Sequence, residues 1–162
     1  MKPAAGNLAA GFVTFPPCEL PFMFTMIACI VLTLLFVATV FDFRSRMIPD
    51  WIAIVISSLA IASAAMGWLG ITPMLVIIGG LLGLAIGYCL FRYANLGGGD
   101  AKLIAALGAL VGPAGLLIVL FGMAIAGGVL SLIAISRNQR DYAYVPAITA
   151  GFVWYLGFVS QI

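Results

Sequence analysis

The sequence predicts an all-α integral membrane protein, a bundle of six transmembrane helices, on three observations. Composition is the first: 65% of the 162 residues are hydrophobic and 7% are charged. A soluble domain carries about 25% charged residues, and this chain has too few to cover a globule with polar surface. Run length is the second, because several apolar stretches reach the roughly 20 residues a helix needs to cross the hydrocarbon core. The third is where the charges fall.

The spans lie near 22–41, 51–69, 74–91, 100–115, 116–136 and 145–160. Residues 1–21 form a Gly/Ala/Pro-rich lead-in on the extracytoplasmic side, and 22–162 form the membrane domain. The apolar run from Asp100 to Ile135 is interrupted at Gly112-Pro113 and Gly115. Proline removes a helical hydrogen bond, so this run reads as two antiparallel spans joined by a tight turn. Pro146 suits the first turn of the last span.

With six spans, Asp42, Arg44, Arg46 and Asp50 share one membrane side with Arg92, Asp100, Lys102, Arg137, Arg140 and Asp141. Only Lys2 and Glu19 lie opposite. Short loops rich in Lys and Arg are cytoplasmic, which puts both termini outside. A five-span chain breaks this segregation.

Several chemistries drop out. The chain has no histidine, so imidazole bases, His metal ligands and Ser-His-Asp triads are excluded. Cys18, Cys29 and Cys89 are scattered; Cys29 and Cys89 sit in apolar runs and read as small buried thiols. No cofactor or metal is expected. A net charge of +2 is too small to suggest a nucleic-acid partner. Gly79, Gly83 and Gly87 repeat at the spacing that lets helices approach closely, either within the bundle or across a homodimer.

Two carboxylates carry the chemistry. In Gly97-Gly98-Gly99-Asp100 the aspartate opens a span whose first 12 residues, 100–111, cover about 18 Å of a core about 30 Å thick. A start below the membrane surface puts Asp100 where ionisable groups are costly and usually functional. Asp42 ends the first span, facing the negative end of the helix dipole, with Arg44 or Arg46 as an offsetting ion pair. Asp50 follows Pro49 and reads as an N-cap. Two carboxylates at one membrane face suggest an aspartic dyad sharing a proton. One aspartate acts as base on water; the other polarises the scissile carbonyl. The glycines act as a hinge that admits an extended peptide.

These residues resemble a known family. GGGDAKLIAALG at 97–108 looks like the GxGDxKLxAxxG motif of prepilin peptidases, which are intramembrane aspartic proteases. Asp42 stands seven residues before Pro49-Asp50, as the first catalytic Asp does in that family. YVPAITAG at 144–151 resembles the start of the family's last span. The resemblance implies a six-span aspartic endopeptidase of the bacterial inner membrane. It implies removal of the leader of type IV pilin precursors at the cytoplasmic face, with Asp42 and Asp100 as the catalytic pair and prepilins and the lipid bilayer as partners. Gly97, Gly99 and Lys102 carry over as motif positions with a structural or substrate-facing role. Arg44 and Arg46 set topology or hold an acidic substrate residue. Bifunctional members carry a zinc-binding insertion with two CxxC pairs and also N-methylate pilin. This chain lacks that insertion and looks like the short members of tight-adherence (Flp) systems. Two readings of other classes compete: a small proton- or cation-coupled transporter, and a non-catalytic pilus assembly factor. An enzyme pairing Lys102 with a serine is disfavoured, because no serine is near it in sequence.

Overall fold

A computed structural model describes residues 20–45, 48–94, 96–136 and 144–160. Its elements are α1 (Leu20–Ser45), α2 (Asp50–Ala65), α3 (Pro73–Ala94), α4 (Gly98–Ser136) and α5 (Val145–Val159). Among the described residues every regular element is a helix. Three stretches are long and apolar enough to cross a membrane: Phe22–Arg44, Pro73–Tyr93 and Gly98–Ile133. The helices Asp50–Ala65 and Val145–Val159 are shorter but equally apolar. Apart from its last residues, from Leu20 on, the lead-in lies outside the described residues.

Among the described residues the helices number five, not six. The expected spans 100–115 and 116–136 belong to the one element α4, because Gly112 alone leaves helical geometry, at φ 73 and ψ 176. That conformation is essentially reserved for glycine, and Pro113 next to it supplies no N–H. A straight helix of 39 residues would run about 58 Å, nearly twice the hydrocarbon core. The chain instead reverses at the break. A Cβ on Gly108 would lie 3.1 Å from the side chain of Leu116, eight positions on, which a straight helix would hold about 12 Å away.

Neighbours of the two legs agree. The first leg runs antiparallel to α3, with Ala101 against Gly87, Ile104 and Ala105 against Gly83, and Gly108 against Gly79. The second runs antiparallel to α5, with Gly115 near Tyr155, Gly122 near Gly151 and Gly127 near Ala147. At Gly83 and Gly87 any Cβ would come within 2.7–2.8 Å of a carbonyl oxygen of α4. The glycine row is therefore occupied within the chain, and the face it offered to a homodimer is filled by α4.

The core lies among α1, α2, α4 and α5. Val31, Leu35, Ile52, Ile56, Leu103, Leu107, Leu116, Ile148 and Phe152 are fully or almost fully buried. Outward faces are apolar as well: Leu81 is 63% exposed and Leu132 is 69% exposed, the pattern of helices bathed in lipid. Cys29 and Cys89 are exposed, a correction to the expected burial. In a bundle greasy on both faces, an apolar run does not mark the interior. Cys18 lies outside the described residues.

Substituting Gly112 tests the reversal. Gly112→Ala is expected to cost about 1–3 kcal/mol and to lower the unfolding midpoint in detergent. Gly128, where a Cβ would meet nothing within 4 Å, is expected to accept Ala without loss.

Candidate active site

Asp42 and Asp100 come together at one end of the bundle. Asp100 sits in the first turn of α4 and is 4% exposed. The Asp42 charge acts on its carboxylate, and the Gly97 backbone N–H faces it. Its Oδ1 is buried and meets no hydrogen-bond partner among the described residues. Buried polar atoms without partners are rare.

Asp42 lies in the last turns of α1, which runs to Ser45. The Val145 backbone N–H donates to its Oδ2 at 3.3 Å. That amide opens α5, where helical N–H groups lack intrahelical acceptors and the dipole favours negative charge. The mildly unfavourable position on α1 is thus offset by a favourable one on α5. About one turn deeper, the Thr39 and Thr149 hydroxyls meet at 3.3 Å and link the same two helices. Beside them lies a groove of about 810 Å³ lined by Phe36, Thr39, Pro146, Thr149 and Trp154.

The expected ion pair of Asp42 with Arg44 does not form among the described residues. Arg44 is exposed at the end of α1, and Arg46 lies outside the described residues. The ion pair that does form joins Lys102 Nζ to both carboxylate oxygens of Asp50, each at 2.8 Å. Asp50 therefore does not cap α2 as expected. Pro49 occupies the cap position, and the helix has no side-chain cap hydrogen bond.

The glycines before Asp100 have unequal duties. A Cβ on Gly97 would stand 3.1 Å from Asp100 Oδ2, and one on Gly99 would stand 2.8 Å from Ile48 Cβ. Around Gly98 the nearest atom is on the Phe91 ring, at 3.9 Å. Gly99 has no room for a Cβ, Gly97 has room only if the Asp100 carboxylate gives way slightly, and Gly98 is open.

A model of the type IV leader peptidase family matches residues 8–132. The chain belongs to that family. Searches of curated proteins and of solved structures each returned no match. Membership makes the chain a peptidase, a hydrolase of peptide bonds, and its apolar helices make it a membrane protein. The region matched to the leader peptidases contains Asp42, Asp50, Asp100 and Lys102 and ends before α5. The amide of Val145, Thr149 and the partnership of Asp50 with Lys102 were not singled out from sequence. No local pattern signals them, since each contact joins residues more than 50 positions apart.

The clearances predict an order of tolerance. Gly97→Ala and Gly99→Ala are expected to lower peptidase activity by about 10-fold or more, because either displaces Asp100, and small displacements at a reacting centre are costly. Gly98→Ala is expected to stay within about twofold of wild type, since nothing it would touch has to move. Rates of precursor processing at matched expression check this.

Proposed function

We propose that this leader peptidase is an aspartic endopeptidase that cleaves the leader of type IV prepilins of the Flp kind at the cytoplasmic face of the bacterial inner membrane. Asp42 and Asp100 form its dyad. The observation that carries this reading is the meeting of these two carboxylates at one bundle end, where Asp100 Oδ1 is buried and unpartnered.

Two neighbouring carboxylates do not both ionise easily, so the pair holds one proton between them. The ionised member takes a proton from a water as the water oxygen attacks the scissile carbonyl carbon. The protonated member donates to the carbonyl oxygen as negative charge develops there. When the tetrahedral intermediate collapses, the C–N bond breaks and the amine leaves with a proton from the dyad. The two carboxylates suit this chemistry without an imidazole, which the sequence lacks.

An apolar bundle is a sensible home for the reaction. A helix in lipid satisfies its own backbone hydrogen bonds, so a substrate amide is attacked only once the helix has unwound. The groove beside Thr39 and Pro146, about one turn from Asp42, is the space we assign to an extended substrate peptide. Arg44, exposed near the same end, is placed to meet an acidic group on the substrate, and it also favours the cytoplasmic orientation.

Co-expression with a candidate Flp prepilin tests the reading. Wild type is expected to shorten the precursor, whereas Asp42→Asn and Asp100→Asn each lose at least about 1,000-fold in rate, as expected when groups act as a unit. Processing by both variants would reject the dyad and turn attention to proton or cation flux in vesicles.

A further inference from the structure

We infer that Asp50 is a positioning residue for Asp100, acting through Lys102. The inference rests on the dyad reading above. Asp100 and Lys102 are two residues apart on α4, about 200° around the helix axis. When Asp100 faces inward, Lys102 must face outward, and their exposures agree: Asp100 is 4% exposed, whereas the Lys102 side chain is 55% exposed. A tether on Lys102 from outside therefore sets the rotation of the first turn of α4 and with it the aim of the Asp100 carboxylate.

Asp50 supplies the tether. It is the first residue of α2, and both of its oxygens accept from Lys102 Nζ at 2.8 Å. Pro49 before it holds an extended backbone at φ −64 and ψ 129, which fixes where α2 begins. Ile48, one residue earlier, packs against Gly99 so closely that no Cβ fits between them. The start of α2 thus grips the start of α4 at two points, Ile48 on Gly99 and Asp50 on Lys102, on either side of Asp100.

Between Leu96, which is buried in the core, and Asp100 the chain offers only glycines. Gly97, Gly98 and Gly99 have no side chains to wedge, and glycine backbone is the most permissive. An exposed ion pair contributes little to global stability, so its removal leaves the bundle folded. What it fixes is geometry at a catalytic group.

The test uses the full-length protein purified in detergent and a synthetic peptide spanning the cleavage junction of a prepilin that wild type processes. Asp50→Ala and Lys102→Ala are each expected to lower kcat by about 10-fold with KM within about twofold, as a misaimed catalytic group does. The double Ala variant is expected to be no worse than either single, because both remove one interaction. The reversed pair, Asp50→Lys with Lys102→Asp, is expected to recover at least half of the wild-type kcat. Hydrogen exchange at the amides of 97–102 gives a readout independent of activity. Exchange is expected to quicken in each single variant and to slow again in the reversed pair. Wild-type kcat and exchange in both single variants, or losses that multiply in the double variant, would overturn the inference. An active Asp100→Asn control would instead overturn the dyad reading, and exchange would still decide whether the tether orders α4.

Discussion

A carboxylate buried at the end of an apolar bundle is costly, and the arrangement of this protein follows from holding Asp100 there. Removing an ionisable group from water without full compensation costs several kcal/mol. The surroundings compensate only in part. The Gly97 amide faces the carboxylate, whereas Asp42 nearby brings a like charge and offsets none of the cost. One oxygen remains without a partner among the described residues. Unpartnered buried polar atoms are few in native structures and recur at functional sites.

The rest of the bundle can be understood as support for that position. Lipid provides no hydrophobic drive between helices, so packing depends on close backbone approach. The glycine row of α3 provides it, with carbonyls of α4 so near that no Cβ fits between the helices. Gly112 then turns the chain back, so that the second leg of α4 packs along α5 and carries the start of that helix to Asp42. From the other side, the start of α2 holds the start of α4 through Ile48 and Asp50. The three glycines before Asp100 lie between these supports, and the clearance at Gly99 leaves no room for a side chain.

Much of this was legible in the sequence, for physical reasons that can be named. Composition and run length suffice for an apolar helical membrane protein, because lipid exposure demands apolar side chains all round. The glycine run before Asp100 and the spacing of Asp42 from Pro49-Asp50 are local, so the two carboxylates could be named as candidates without a structure. Gly112-Pro113 marked the reversal, but not that a single residue would make it inside one helical element. Burial of Cys29 and Cys89 was misjudged because hydropathy cannot tell a lipid-facing position from a core position. Asp50 looked like a cap because Asp after Pro at a helix start usually is one; its partner, Lys102, lies 52 residues away. The hold of Val145 on Asp42 spans 103 residues and uses a backbone amide, which no side-chain pattern announces.

The central claim is that two carboxylates sharing one proton do the chemistry. The most direct measurement is the pH dependence of kcat/KM for cleavage of a junction peptide by the purified protein. A pair sharing a proton predicts a bell: the rate falls on the acid side as the base is protonated and on the alkaline side as the acid is lost. A rate that climbs to a plateau and never falls would contradict it, because a single ionised carboxylate would then be enough.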